Sequence, residues 1–435
     1  MGRETDLRQG HFRSISDEFE EGDFNIYLPY SDLKRWVLDE STLAQAANAF
    51  RVWGRLSEVR ALSFLSYVGP QPDKQYFIGY SHNRSDHSLV VGLTAGEIGR
   101  HNNLLQQQID TLEIAGILHD IATPALGDVT KSIDPTNLGE EKFWHEVLDR
   151  KGKEFLRWKG LRCKRLDKII GDQGILGQVL DIADRITYTM NDLHEVIGNV
   201  RSKINIHPYL IELRYPLSHH PDIGNIYKDV VVDKKREIVF FADAERLGVF
   251  LLLRALMHKH LYMEPTSQGR DFFVANLIRP LYSPDGFRPL NPRLLRQMVD
   301  RDLLDLLARY YQFPRLQGEW IHTQLTNWYP RHERCETQED AEDKAKDLDQ
   351  EFLVMGIKEC KGFDAGLSYL TLDQNQEIVT FEDANPGMAH QIRGIEKDTR
   401  AFYIFYTDIS EDTLINELLR KAHGIPENIT AHKQI

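Results

Sequence analysis

A chain of 435 residues with a formal net charge of −13 has length for two or three domains but no broadly basic surface, which argues against a nucleic-acid backbone as partner. Its composition, 41% hydrophobic, 10% aromatic and 27% charged, is that of a globular protein, and apolar runs such as Val249–Leu253 are too short for a bilayer. Cys163, Cys335 and Cys360 form no CxxC pair, and Met1–Asp6 opens no apolar leader, so a disulfide framework is not expected and the expected location is the cytoplasm.

Residues 1–40 alternate polar and aromatic stretches and read as an N-terminal extension. The pattern is helical from Thr42 to Leu65, and Tyr76–Tyr80 is a short extended piece. His87 then opens a helix through about Arg100 on Leu89, Val90, Leu93 and Ile98. In the next helix Asp110 and Glu113 make a capping-box pattern. It runs through Leu112, Ile114, Ala115, Ile117 and Leu118 to His119-Asp120, after which Pro124 and Gly127 break it. Phe143–Arg157 and Cys163–Gly171 read as further helical pieces.

Ile175–Ile197 is the most periodic segment: Ile175, Val179, Ile182, Ile186, Met190, Leu193 and Ile197 recur at steps of three and four. Asp184, Tyr188 and Asp192 step by four on a different face, nearly opposite at roughly 100° per residue. Taken alone, that stripe reads first as a solvated face.

Ile226–Val232 and Arg236–Phe241, joined by Asp233-Lys234-Lys235, read as a β-hairpin inserted at about 224–242. Arg246–Tyr262 is apolar nearly all round and so should be buried, yet it carries Arg254 and His258 one turn apart. A buried guanidinium needs an anionic partner, either an internal carboxylate or a bound phosphate. Helical pattern continues to about Tyr311, and the charged run Thr337–Glu351 reads as a solvated helix or linker. Phe352–Lys358, Leu367–Leu372, Ile378–Phe381 and Ala401–Tyr406 read as strands, closed by a helix over Asp412–Ala422. The expected fold class is mostly α: a helical core over 41–330 and a smaller α+β domain over 331–435.

The adjacent imidazole and carboxylate of His119-Asp120 suit one divalent transition metal. With His87 before and Asp184 after, the order is H…HD…D, each part on a separate expected helix, as convergence on one ion requires. Two imidazoles and two carboxylates leave positions open for water and a phosphate oxygen. This order resembles the HD-domain metal phosphohydrolases. The stretch Ser81-His82-Asn83-Arg84-Ser85-Asp86-His87-Ser88-Leu89 is similar to SHNRxxHSL of the SAM-and-HD-domain dNTP triphosphohydrolase and bacterial dGTPase family. Asp184 to Asp192 resembles that family's DKxxYxxxD helix, with Arg185 for Lys, and Leu180–Asp192 is similar to the DIAYxxxDLED region of the bacterial dGTPases. Arg254, His258 and Tyr262 match its RxxxHxxxY helix. The resemblance covers roughly residues 50–265, with no SAM domain expected before the core.

The resemblance implies that His87, His119, Asp120 and Asp184 bind a divalent metal ion (Mn, Fe, Zn or Mg). It implies that Arg84, Arg185 and Arg254 hold a triphosphate, since guanidinium forks match phosphate oxygens. Tyr188 would pack against the sugar, Asp192 would accept from its 3′-hydroxyl, and His258 and Tyr262 would border sugar or base. The implied activity cleaves a (deoxy)nucleoside triphosphate to nucleoside and inorganic triphosphate, with water attacking the α-phosphate. A homo-oligomer and a nucleotide activator are further implied partners; a membrane is not.

Three departures bear on this. Relatives continue the doublet as HDxGHxPFxH, whereas Thr123 and Asp128 stand here at the two histidine positions. His145-Glu146 resembles the family's later catalytic pair and would supply a general acid, and Asp128 would help hold water. Phe64-Leu65 stands where relatives read the sugar with Gln-Leu, so a deoxyribose preference is open. A phosphodiesterase or phosphatase on another nucleotide, and a nucleotide-sensing regulator, are the alternatives.

Overall fold

Close approach of two helix backbones sets the geometry of the helical body. Helices α2 (Arg84–His101) and α3 (Gln106–Leu118) cross with Gly92 against Gly116. A Cβ on Gly116 would stand 2.5 Å from Gly92 Cα, so only glycine permits the crossing. Helix α1 (Thr42–Phe50) covers this pair, with Leu43, Ala46, Ala47 and Phe50 buried. In the computed structural model, the described residues are 41–52, 54–61, 83–200, 222–311, 330–349 and 352–408, with Glu212, Pro216, Leu217, His219, His220, Trp328, Leu418 and Lys421. The extension 1–40, Phe64-Leu65, Tyr76–Tyr80, Ser81-His82 and most of Asp412–Ala422 lie outside them.

After α3 come the short α4 (Gly127–Lys131), α5 (Glu140–Val147), α6 (Arg150–Trp158) and α7 (Cys163–Ile170). The single helix expected over Phe143–Arg157 is two helices, because Leu148 is extended and Asp149 caps a new start through Gly152 N–H. Helix α8 (Gly174–Val200) lays Val179, Ile182, Ile186, Met190 and Leu193 into the core, as its periodicity predicts. A buried hydroxyl contact, Thr187 Oγ1 to Thr94 Oγ1 at 3.2 Å, fixes α8 against α2.

The capping box expected at Asp110 is not the start of α3. The helix begins one turn earlier, where Gln108 Oε1 reaches back to the Leu105 N–H at 3.0 Å. Asp110 instead accepts from Gln106 within the helix, and Glu113 is buried against Arg100. The hairpin is also shorter than expected, β1 (Val230–Asp233) with β2 (Ile238–Phe241), because Ile223–Asp229 winds as a 3₁₀ turn.

Helix α9 (Ala244–Met257) is buried along its length, and a π-helical turn over His258–Tyr262 continues it. Helices α10 (Pro265–Ile278) and α11 (Asp300–Tyr310) follow, then a β-rich region. There β3 (Arg331–Cys335), β7 (Ala401–Asp408) and β4 (Phe352–Cys360) form an antiparallel sheet in the order β3-β7-β4. Helix α12 (Gln338–Leu348), the expected charged helix, is N-capped by Thr337. Strands β5 (Leu370–Leu372) and β6 (Ile378–Thr380) extend the hairpin into a second sheet, β1-β2-β5-β6, through a parallel pairing of Phe241 with Thr371.

Two elements here had no clear sequence signal: the short, exposed β3 and helix α13 (Pro386–Thr399). The region of α13 packs on α9 at Gly248, where a Cβ would meet Met388 Sδ at 2.4 Å and Phe381 Cζ at 3.1 Å. The C-terminal chain therefore lies directly on the helix that carries Arg254. The fold is mostly helical, with a smaller C-terminal region and two small sheets; among the described residues no helix is long and apolar enough to cross a membrane.

Candidate metal centre

Three helices bring the ligands together. His87 lies in the first turn of α2, whose start Asn83 fixes by accepting from Asp86 N–H at 3.0 Å. His119 caps the end of α3, and Asp184 projects from the middle of α8. Ligand atoms of His87, His119 and Asp184 all lie within 4.8 Å of one another. Asp184 Oδ1 is 2.9 Å from His87 Nε2 and 3.4 Å from His119 Nε2. Asp120 approaches from the side, its Oδ2 3.6 Å from His87 Nε2 and 3.9 Å from His119 Nε2.

The donor set fits a cation. Gly116 O lies 2.6 Å from His119 Nδ1; a carbonyl can only accept, so Nδ1 carries the hydrogen and Nε2 is left for the cluster. His119 Nε2 and Asp184 Oδ1 are buried without an aligned hydrogen-bond partner, and such atoms call for an ion or water. Burial would lower the His119 imidazole, but Asp120 and Asp184 outweigh it and push it up to about 9. Burial would likewise raise Asp184, yet the two imidazoles hold its carboxyl well below the usual range. The pocket favours positive charge, and its nitrogen and oxygen donors suit a divalent metal ion.

One wall is a run of alternating charges. Arg84 reaches Asp120 at 2.8 Å and Asp128 at 3.6 Å, and Lys131 meets Asp128 at 2.6 Å and Glu140 at 2.8 Å. Arg84 is therefore already engaged by two carboxylates. Burial would raise Asp128, but Lys131 and Arg84 lower it. Thr123 is buried, with its hydroxyl 3.3 Å from Asp120 Oδ1.

The connection after the doublet is strained: Leu126 has φ +60°, a left-handed conformation unfavourable for a branched side chain. Asp300 Oδ1 accepts from its N–H at 2.7 Å, and Arg55 donates to the carbonyls of Thr123 and Ile121 at 2.7 Å each. Arg55 and Asp300 were invisible as site residues because their roles are to hold backbone remote in sequence.

The stripe Asp184, Tyr188, Asp192 is not a solvated face, since Asp192 is buried. Tyr262 donates to the Asp192 carboxylate, and Arg254 Nε donates to Tyr188 Oη. The anionic partner expected for buried Arg254 is replaced by the carbonyl of Asp364, to which Nη1 donates; among the described residues no carboxylate forms a salt bridge with it. The Asp364 carboxylate goes instead to Arg185, at 2.6 Å, which also holds Asp181 at 2.8 Å. His258 stacks on Phe363, rings 4.3 Å apart and 5° from parallel. Burial, then the nearby Arg254 and Arg185, push His258 down to about 3, so it is neutral near pH 7.

The structure does not bring His145 and Glu146 to the cluster. His145 is exposed with its ring against Trp144, and Glu146 pairs with Arg296 at 3.0 Å. The same helix offers Glu140 to Lys131, while Glu141 lies within electrostatic reach of His119 and Asp184. Glu141, Asp172 and Asp181 make an acidic rim; burial first, then Asp181 and Glu141, push Asp172 up to about 7. Lys131 was missed in the sequence, although its spacing three residues from Asp128 was a usable signal, whereas nothing in the sequence marked Phe363 or Asp364.

Residues 84–189 match the HD domain family, a span that contains the whole cluster. A search of curated proteins finds no match. Among solved structures, a phosphohydrolase from Bacteroides thetaiotaomicron is similar with a TM-score of 0.58 at 15% identity, covering 88% of this chain and 96% of that one. A hypothetical protein from Aquifex aeolicus is similar with a TM-score of 0.57 at 15% identity, covering 88% and 95%. At that identity the likeness is one of fold. The matched span thus carries an HD domain with a His/His/Asp cluster suited to a divalent ion, consistent with a metal-dependent hydrolase.

Proposed function

We propose that the chain is a metal-dependent hydrolase that cleaves (deoxy)nucleoside triphosphates to nucleoside and inorganic triphosphate. The observation that carries this reading is adjacency: Asp184 faces the cluster while the next residue, Arg185, shares Asp364 with Arg254. A divalent ion held by His87, His119 and Asp184, with Asp120 beside them, would supply Lewis acidity toward a phosphoryl centre. Arg185 and Arg254 would bind the phosphates and offset charge as water attacks the α-phosphorus. Arg84 would act chiefly by holding Asp120 in place. Tyr188, hydrogen-bonded to Arg254, would pack on a sugar, and Asp192, hydrogen-bonded to Tyr262, would accept from it. His258, neutral and flat-faced, would stack on a base.

A second reading has its own support. Thr123 and Asp128 replace two histidines of relatives, and both are committed, to Asp120 and to Lys131 with Arg84. A site altered this way fits a phosphodiesterase or phosphatase on another nucleotide. Incubation with each dNTP and NTP in Mn²⁺, with chromatographic product analysis, separates the two. Nucleoside plus triphosphate is the expected pair; monophosphate or orthophosphate would move the assignment to the second reading. Nucleotide binding without any product would favour a sensor.

A further inference from the structure

The segment Gly362-Phe363-Asp364-Ala365-Gly366 enters the proposed substrate pocket from the C-terminal region and makes, group by group, the contacts a nucleotide would seek. Its Asp364 carboxylate lies 2.6 Å from Arg185 Nη1, and its Asp364 carbonyl accepts from Arg254 Nη1. Its Phe363 ring lies 4.3 Å from the His258 ring, 5° from parallel, and beneath the Arg254 guanidinium at 5.9 Å. We propose that residues 362–366 are an autoinhibitory plug, with Asp364 standing in for a substrate phosphate and Phe363 for a planar base. The proposal rests on reading Arg185 and Arg254 as the phosphate-binding pair.

Three features make the plug displaceable rather than a fixed wall. Its ends are glycines in the left-handed region, Gly362 at φ +82° and Gly366 at φ +69°, where backbone freedom is greatest. The Asp364 side chain is 62% exposed, so its pair with Arg185 is partly solvated and weak compared with what a polyanion can offer the same guanidiniums. The plug borders a cleft of about 1240 Å³ whose lining includes Phe363, Asp364 and Ala365 and a mixed set of charges, with Arg393 paired to Glu382 and Arg400 to Glu396. The cleft gives the segment room to withdraw.

A ligand that must first displace a closed segment binds with an apparent affinity reduced by the fraction of open molecules. Calorimetric titration of the full chain with inorganic triphosphate in Mn²⁺ tests this without needing turnover. Asp364→Asn should bind about tenfold more tightly than wild type, the gain expected if roughly one molecule in ten is open. Amide exchange over 362–366 in wild type should accelerate when triphosphate is added, a measurement that holds even if the variant folds poorly. Unchanged or weaker binding by Asp364→Asn, no binding by either protein, or slower exchange on addition would each overturn the plug; the last would make the segment a lid. Nucleotide turnover measured alongside distinguishes the two readings. A tighter Asp364→Asn with no hydrolysis sinks the hydrolase assignment alone, while hydrolysis without any gain sinks the plug alone.

Discussion

The metal cluster and the guanidinium pocket lie one residue apart on α8, yet they are built in opposite ways. The cluster is held by helices whose backbones touch, with its ligands on α2, α3 and α8 packed over a single apolar core. The pocket takes its side chains from α8 and α9 but is completed by residues 363 and 364, from a loop between strands of the C-terminal region. One site is fixed by local packing; the other depends on a distant segment that can leave. The cluster should therefore fail all at once when a ligand is lost, and the pocket should change by degrees.

The largest effect expected is on the cluster. His119→Ala removes a ligand and leaves Asp184 Oδ1 with one imidazole neighbour, so bound metal should fall to background and turnover by about 10³-fold or more. Metal analysis and product chromatography on the same preparation check it; wild-type turnover would end the metal assignment. Arg254→Ala should leave metal content unchanged and raise KM about ten- to a hundredfold, corresponding to the loss of one charge-assisted contact. Metal loss in that variant would mean that the two sites are one cooperative unit, which breaks the comparison.

Asp120 tests how deeply the cluster is embedded. Arg84 is 9% exposed, and Asp120 is its nearest carboxylate at 2.8 Å, with Asp128 at 3.6 Å. Asp120→Ala strands a buried guanidinium, and breaking such a pair costs about 3–5 kcal/mol. Denaturant unfolding should show a loss near the lower end, because Asp128 remains. Gly116→Ala should cost less, about 1–3 kcal/mol, as α2 and α3 part to admit a methyl group 2.5 Å from Gly92 Cα. It should also weaken metal binding, because the same displacement separates His87 from His119.

What was legible in the sequence follows the same division. His87, His119 and Asp184 could be found because the His-Asp doublet and the H…HD…D order resemble a known family, and each ligand sits on a helix with its own periodic signal. Arg254 was suspect because an arginine in an all-apolar helix needs a partner, but the partner turned out to be a carbonyl 110 residues away. No local pattern encodes such a contact. For His145-Glu146 the family resemblance chose the helix, and in the structure helical phase turns Glu146 to Arg296 and leaves His145 exposed. On that helix Glu140 and Glu141 are the residues that engage or sense the site.

The smallest expected effect lies on the acidic rim between the two sites, where the sign matters more than the size. Asp172 is pushed up to about 7 by burial and by Asp181 and Glu141, against 3.8 for a free side chain. A raised carboxyl means that the folded state binds more protons than the unfolded state between about pH 4 and 7. Asp172 therefore lowers stability progressively as pH rises through that window, and its cost is complete above it. Asp172→Asn should leave the unfolding free energy nearly unchanged at pH 4 and raise it at pH 8. The carboxyl is only partly shielded from water, so solvent screening keeps the gain below about 1 kcal/mol. Asn also tolerates the left-handed backbone at this position, φ +59°, so the substitution adds no strain of its own. Mn²⁺ should shrink the gain at pH 8, because a cation at the cluster already relieves repulsion among Asp172, Asp181 and Asp184. A gain independent of metal would separate the rim electrostatically from the cluster, and a loss of stability at pH 8 would show that Asp172 is held by favourable contacts instead.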